Sequence, residues 1–175
     1  MIKSGDYQYI LLTDGTAELT NYTAYAEFLT VPAQIDGHAV TSIGSEAFIN
    51  SEFLSSIILP DCLTTIGIDA FCGCSFLASI TLPNSLTSIG KLAFAGCKSL
   101  TRIILPSSLT TIEAWAFSGC ESLASITLPD SLTTIGNWVF ESCPVSLNFT
   151  VVRGSWAESW CKENGKNYTY SNSID

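Results

Sequence analysis

The motif Ile-Gly-x-x-Ala-Phe, with Glu for Gly in the fourth copy and Val for Ala in the fifth, recurs along this chain at a fixed step of 23 residues, and no other feature constrains the fold as strongly. Its five copies form a column of isoleucines and a column of phenylalanines: Ile43, Ile66, Ile89, Ile112 and Ile135, then Phe48, Phe71, Phe94, Phe117 and Phe140. A period of about 20 to 50 residues is typical of a solenoid, because each unit is too small to bury its own apolar face and stacks on its neighbours. The period therefore predicts a repeat protein with one continuous core.

Two further columns keep the same step: Leu-Pro pairs at Pro60, Pro83, Pro106 and Pro129, and cysteines at Cys74, Cys97, Cys120 and Cys143. The columns have exceptions, because Ser51 stands at the cysteine position of the first copy and Glu141-Ser142 replaces the glycine step of the last. The gap from Pro32 to Ile43 is 11 residues where later copies have 6, so an insertion lengthens the first unit.

One repeat is expected to contain two extended pieces joined by turns. The alternation of polar and β-branched apolar residues in 125–128 predicts a half-buried strand that ends at Pro129. Residues 110–112 predict a second, weaker extended piece. The spacing from Glu113 to Phe117 is helical, and Gly119 follows where a turn needs a positive φ.

Equivalent strands of successive coils should pair in parallel as one six-stranded sheet. Side chains alternate across a strand, so every second residue of this sheet points outward. This outward surface, the strand face, is the expected binding surface, and its candidate partner-binding residues are Ser79, Arg102, Ile104, Ser125 and Thr127.

A second candidate surface is the column two residues before each repeat phenylalanine, which changes from acidic to apolar: Glu46, Asp69, Leu92, Trp115 and Trp138. Trp115 should stack next to Trp138. The simpler interpretation is that these rings lie flat and shield the core. The alternative is a recognition patch, because exposed aromatic clusters are enriched among binding hot spots.

The pattern L-P-x-S-L-T-x-I-G-x-x-A-F-x-G-C-x-S-L-x-x-I, followed from Val31 to Val151, resembles the repeat of BspA-like leucine-rich repeat proteins. Thr30-Val31-Pro32 and the following segment from Ile35 to Gly44 are similar to that family's opening half-repeat. The resemblance implies an α/β, β-rich, right-handed leucine-rich-repeat solenoid with a parallel sheet on one face. The resemblance implies no catalytic residues. It also implies a bacterial surface protein or a module of one, and some members of the family are adhesins.

The raw ends of a solenoid need caps, and the chain is predicted to divide into an N-terminal β-hairpin cap (1–30), the solenoid (31–151) and a C-terminal helical cap (152–175). The hairpin is predicted from two strand-like segments, 7–12 and 17–20, on either side of Asp14-Gly15. Ser155 and Glu158 form a capping box, which predicts a helix to about Asn164. Gly165 would end this helix. The side chains of Trp156, Trp160 and Cys161 would cover the last coil, and residues 166–170 would return as a strand.

Composition bears on partners and location. The net charge is −9 and the seven basic residues are scattered, so neither nucleic acid nor an anionic membrane surface is an expected partner. No apolar run is long enough to insert into a bilayer, and the first residues lack the apolar segment of a signal peptide. Either the protein stays inside the cell or a leader has been trimmed; we favour the second, with an extracellular or cell-surface location, and expect a monomer.

The seven cysteines and the single histidine offer little chemistry. Zinc sites need two close cysteine or histidine pairs, which the spacing does not supply. Buried free thiols are the main expectation, with a disulfide of Cys62 or Cys72, or a metal site, as alternatives. His38 follows the turn signature Asp36-Gly37 and is expected to be a solvated loop residue, so no catalytic constellation is predicted and no cofactor is expected.

Three functions stay open. The preferred hypothesis is a non-enzymatic module that recognises a protein or glycan partner through the strand face. The alternatives are a structural spacer or intracellular scaffold with no tight ligand, and an accessory piece of a larger enzyme.

Overall fold

The computed structural model describes residues 1–171, and within them the chain forms a β-solenoid of about seven coils with one helix near the carboxyl end, which confirms the predicted fold class. The elements are β1 (Ile2–Ser4), β2 (Tyr7–Leu11), β3 (Ala17–Tyr22), β4 (Phe28–Thr30), β5 (Gln34–Ile35), β6 (His38–Ile43), β7 (Ser56–Ile58), β8 (Thr65–Ile66), β9 (Ser79–Thr81), β10 (Ser88–Ile89), β11 (Arg102–Ile104), β12 (Thr111–Ile112), β13 (Ser125–Thr127), β14 (Thr134–Ile135), β15 (Asn148–Val151), α1 (Trp156–Glu163) and β16 (Tyr168–Tyr170).

The second extended piece of each repeat builds the longest sheet. Its nine strands include the path β1-β2-β3-β6-β8-β10-β12-β14, with β5 paired to β6 at the side. Along the repeats the pairing is parallel and steps by one repeat, as in Ile43 opposite Ile66 and Ile89 opposite Ile112. These isoleucines are fully buried. The second extended piece, which the sequence predicted only weakly, therefore forms the most continuous side of the solenoid.

The sheet of the strand face is divided in two, and the prediction of one six-stranded sheet is wrong in this respect. One part pairs β4, β7 and β9, and the other pairs β11, β13, β15 and β16. Within residues 1–171 no ladder joins β9 to β11, although the two strands are neighbours. Strands of three residues offer few hydrogen bonds, so adjacent coils can part on this side while the other sides hold them together.

The predicted helical turn at Glu113–Phe117 is also wrong. Trp115 has a φ of 64°, and the equivalent residues of the other four repeats have φ between 54° and 60°. A left-handed residue cannot continue a right-handed helix. The N–H groups of Trp115, Phe117 and Gly119 instead donate to carbonyls of the next coil at 3.1, 2.9 and 2.8 Å. This turn ladder is the third side of each coil.

The phenylalanine column forms the centre of the core. Successive rings lie 5.0, 5.2, 5.3 and 5.8 Å apart and are nearly parallel. Phe71, Phe94 and Phe117 are fully buried, and a single cluster of buried side chains extends from Tyr9 in the hairpin to Cys161 in α1. The repeats and both ends therefore share one core.

The N-terminal hairpin forms as predicted from β2 and β3. Strand β3 then pairs in parallel with β6, and the N–H of Tyr22 donates to the carbonyl of Ala47 at 3.2 Å, so the hairpin closes the first coil. The inserted residues form the β5–β6 hairpin. At its turn, the hydroxyls of Ser4 and Tyr9 donate to the Asp36 carboxylate and hold its pKa below the ordinary value.

The C-terminal helix begins at the predicted capping box. The Ser155 Oγ accepts from the Glu158 N–H at 3.1 Å, and the Glu158 carboxylate accepts from the Gly154 N–H at 2.6 Å. Helix α1 ends at Glu163 with Asn164 as its C-cap, and β16 returns in parallel beside β15.

Two of the three side chains predicted to cover the last coil do so. Cys161 is fully buried, and the Trp160 ring lies 5.9 Å from that of Phe149. Trp156 is 39% exposed, because the buried side of α1 begins at the next residue, Ala157. The proposed division at residues 30 and 151 coincides with the ends of β4 and β15 and stays a prediction.

Candidate binding surfaces

The five predicted residues of the strand face lie on three neighbouring strands, β9, β11 and β13. Arg102 is opposite Ser125 and Ile104 is opposite Thr127 in the β11–β13 ladder. Ser79 is on β9, across the break in the sheet. Four of the five are exposed, Ile104 to 61%, whereas Ser125 is half-buried.

The break between β9 and β11 opens a cleft of about 520 Å³, here called the Arg102 cleft. It is lined by Ala78, Ser79, Ile80, Thr81, Leu82, Asn84, Thr101, Arg102, Ile104 and Pro106. Three predicted site residues therefore meet in one concave place, while Ser125 and Thr127 lie beyond its rim. The sequence could not show the cleft, because every repeat has the residues of a paired strand.

The Arg102 side chain has no carboxylate partner among residues 1–171. The ion pairs found there are Lys98 with Glu121 at 2.9 Å and Lys162 with Glu158 at 2.6 Å. A guanidinium presents five N–H donors in a planar fork that suits carboxylate and other anionic or polar oxygen groups. The cleft therefore offers hydroxyl groups, an amide, several apolar side chains and an unpaired cation.

Trp115 and Trp138 stack with ring centroids 5.0 Å apart and an interplanar angle of 26°. Trp138 is 57% exposed and Trp115 is half-buried. Both belong to the turn ladder, and the structure does not bring them together with the strand face.

A groove of about 400 Å³ lies beside Trp138, between the last coil and α1. Trp160, Glu141 and Lys166 also line it. The N–H groups of Trp138, Phe140 and Ser142 correspond to the turn-ladder donors of earlier coils, and they have no backbone acceptor within residues 1–171. Nothing in the sequence pattern indicates this groove, because it depends on where α1 packs.

A third surface lies at the first coils and was missed by sequence reasoning. Tyr25, Phe53 and Phe76 are 85%, 60% and 61% exposed, and they line a cleft of about 550 Å³ with Glu27, Glu52 and Ser55. We call these three rings and two carboxylates the aromatic patch. A signal was available, because the column at the 23-residue step reads Phe53, Phe76, Ser99 and Ser122.

The cysteine column has a structural role. All seven cysteines are free, and the thiols of Cys74, Cys97, Cys120 and Cys143 each donate to a phenylalanine carbonyl 26 residues earlier, at 3.0 to 3.3 Å. Burial raises the pKa of Cys74 to about 11 and raises that of Cys97 as well. A protonated, sheltered thiol is a poor nucleophile, so Cys74 and Cys97 join coils and offer no reactive group. Cys143, at the end of the column, is half-buried, and its hydrogen bond with Cys120 lowers its pKa.

His38 is a half-buried residue at the start of β6, and the expectation of a solvated loop residue is wrong. Its Nδ1 lies 2.8 Å from the Gly15 carbonyl oxygen, which ties β6 to the tip of the N-terminal hairpin. Among residues 1–171 no three His, Cys, Asp or Glu side chains are grouped as metal ligands would be. No helix in that part of the chain is long and apolar enough to span a bilayer.

Comparison with known proteins agrees with this architecture. The family model described as "BspA type Leucine rich repeat region" matches residues 41–157 in six copies. A search of the curated proteins found no match.

Among solved structures, the T. pallidum leucine-rich repeat protein TpLRR is 35% identical with a TM-score of 0.82, over 85% of this chain and 70% of that one. A leucine-rich cell surface protein of Faecalibacterium prausnitzii is 33% identical with a TM-score of 0.76, over 86% of this chain and 44% of that one. The pneumococcal vaccine antigen PcpA, at 24% identity and a TM-score of 0.69 over 87% of this chain and 50% of that one, shares the fold. The chain thus spans half or less of two of these three structures.

The stacked 23-residue coils, the family match over most of the repeats and the identity to TpLRR lead to one conclusion: the chain belongs to the BspA-type leucine-rich repeat family.

Proposed function

We propose that this chain is a non-enzymatic interaction module of a bacterial surface or secreted protein, and that it binds a protein or glycan partner at the Arg102 cleft. The observation that carries the proposal is the coincidence of three features in the same place. The sheet is interrupted, the surface becomes concave, and the strand face has an unpaired arginine there.

The chemistry of the cleft suits a partner with both polar and apolar contacts. Ser79, Thr81 and Asn84 supply short hydrogen-bonding side chains, which lose little rotamer freedom on binding. Ile104 supplies an exposed apolar surface and Arg102 a directional donor. Arginine is among the residues enriched in binding hot spots, so it is the first side chain to test.

The proposed location outside the cell is supported by the description of the F. prausnitzii relative as a cell surface protein. Repeat solenoids bind partners through extended surfaces, which supports an interaction module. A structural spacer is the second candidate function, because two of the outward columns are rich in Ser and Thr. If the chain is a spacer, it should bind no ligand with high affinity.

The experiment is a parallel screen of the wild-type protein and three double variants against arrays of glycans and of extracellular and bacterial-surface proteins. Arg102→Glu with Ile104→Glu alters the cleft at two exposed positions. Lys91→Glu with Ile68→Glu is the matched control, because it replaces one exposed cation and one exposed isoleucine elsewhere and changes the net charge equally. Trp115→Ala with Trp138→Ala removes the stacked tryptophans.

A ligand of the wild type should be lost with the cleft variant and kept with the matched control, and all variants should retain the wild-type circular dichroism spectrum. Binding that survives the cleft variant but fails with the tryptophan variant would move the site to the turn ladder. The absence of any ligand across both arrays would favour the spacer.

A further inference from the structure

The two phenylalanines of the aromatic patch are not needed to build the coils in which they lie. Phe53 and Phe76 occupy a position that is Ser99 and Ser122 in the next two repeats, where the neighbouring Leu100 and Leu123 are as well buried as Leu54 and Leu77. The repeat therefore folds equally well with a small polar residue there. Two phenylalanines that are about 60% exposed at such a position present a large apolar surface to solvent, which is typical of a contact surface.

The geometry of the rings favours a compact group over a flat one. Tyr25 and Phe53 meet edge to face, with ring centroids 5.2 Å apart and an interplanar angle of 83°. Two rings at a right angle form a corner, and Phe76 lines the same cleft. A corner of this kind surrounds a small cation, as in aromatic cages that bind ammonium groups, whereas a sugar ring stacks best on a single flat face.

The charge of the cleft points to the same ligand class. Glu27 and Glu52 line it, and no lysine or arginine does. Neither carboxylate belongs to an ion pair within residues 1–171. The Glu27 backbone is held in place, because its carbonyl accepts from the N–H groups of Ser55 and Ser56 at 2.9 and 3.1 Å.

We propose that the aromatic patch is a second interaction surface, separate from the Arg102 cleft, and that it binds lysine or arginine side chains of a basic protein segment. The rings contact the cation and its apolar stem, while the carboxylates of Glu27 and Glu52 form the ion pairs. The negative net charge of −9 attracts such a segment from a distance, and the patch fixes where it docks.

The test uses a fluorescein-labelled nona-arginine peptide and an otherwise identical peptide of citrulline, which has the shape of arginine without its charge. Affinities are measured by fluorescence anisotropy at physiological salt, where attraction between distant exposed charges is largely screened. Glu27→Gln with Glu52→Gln removes the carboxylates, and Phe53→Ser with Phe76→Ser installs the residue of the later repeats. Asp130→Asn with Glu163→Gln is the control, because it removes two exposed carboxylates far along the chain and gives the same net charge as the first variant.

Both patch variants should weaken binding of the arginine peptide by about tenfold or more, and the control should weaken it by less than about twofold. The citrulline peptide should bind none of the proteins. An equal loss in the control would show general charge attraction and overturn the proposal, as would failure of the wild type to bind the arginine peptide. A neutral oligosaccharide that binds through Phe53 and Phe76 without Glu27 and Glu52 would make the patch a glycan site instead. None of these outcomes depends on Arg102, so the two proposals stand or fall separately.

Discussion

Each repeat contributes one phenylalanine to a stack that passes through the centre of the molecule. Phe94 is fully buried between Phe71 and Phe117, with ring centroids 5.2 and 5.3 Å away. A ring in this position contacts its own coil and both neighbours. Its loss therefore removes contacts within a coil and between coils at once.

We expect Phe94→Ala to lower the free energy of unfolding by about 3–5 kcal/mol, because it leaves a cavity that the flanking rings cannot fill. Urea denaturation measures this change. Phe76→Ala is the control: the same substitution at a ring that is 61% exposed should cost less than about 1 kcal/mol. Equal effects at the two positions would mean that the column is not the core.

The cysteine column gives a prediction about reactivity. Cys74, Cys97, Cys120 and Cys161 are fully buried, and burial raises the pKa of Cys161 to about 11. Because the thiolate is the reactive species, these four should be labelled slowly by iodoacetamide in the native protein and fully in urea. Mass spectrometry of tryptic peptides assigns each site. Rapid native labelling of the four, or disulfides between them, would contradict the assignment.

At the scale of elements, close approach of backbones sets how tightly successive coils stack. A Cβ atom added to Gly90 would lie 2.7 Å from the carbonyl carbon of Gly67 in the preceding coil. We expect Gly90→Ala to force these coils apart and to cost about 1–3 kcal/mol. Lys91→Ala, at the exposed neighbouring position, should leave the thermal midpoint nearly unchanged. A Gly90→Ala protein as stable as wild type would show that this packing is loose.

The C-terminal cap contains a buried carboxylate whose titration can be followed. Hydrogen bonds from Lys162, from the Gly154 N–H and from the Tyr170 hydroxyl lower the pKa of Glu158 from 4.5 to about 2. Because this pKa is below that of the unfolded chain, the ionised Glu158 carboxylate stabilises the folded state. This stabilisation is complete above about pH 4.5 and is lost as the pH falls through 2.

We therefore expect Glu158→Gln to lower the melting temperature at pH 7 and to reduce its decrease between pH 4.5 and 2 relative to wild type. Differential scanning calorimetry across this range measures both effects. Glu163→Gln, an exposed carboxylate of the same helix, should follow the wild-type profile. A Glu158→Gln profile parallel to that of wild type would contradict the role given to the cap.

Elements differ in how far the sequence could predict them. The hairpin at Asp14-Gly15 and the helix after Ser155 were predictable, because turn and capping residues act locally. The turn at Glu113–Phe117 was not, since its alanine and phenylalanine spacing suits a helix equally well. Its left-handed residue is Trp115, and a tryptophan gives no sign of a positive φ. The neighbouring coil favours the turn over a helix, because its carbonyl oxygens accept hydrogen bonds from the N–H groups of the turn.

At the scale of the whole molecule, three sets of hydrogen bonds connect the coils: the nine-stranded sheet, the turn ladder and the divided sheet of the strand face. Only the last is interrupted among the described residues, and the Arg102 cleft lies at that interruption. The repeat period was sufficient to predict the solenoid and which residues point outward. It could not predict the cleft, because an interruption arises from how coils stack and not from the residues of any one repeat.

The most direct test of the central claim, that the strand face is the recognition surface, is hydrogen–deuterium exchange of the protein alone and with a ligand identified on the arrays. We expect slower exchange on binding in peptides that cover residues 78–84 and 101–106, with no change in peptides limited to the turns around Trp115 and Trp138. Protection confined to the turns around Trp115 and Trp138, or found elsewhere in the chain with none on the strand face, would contradict this claim.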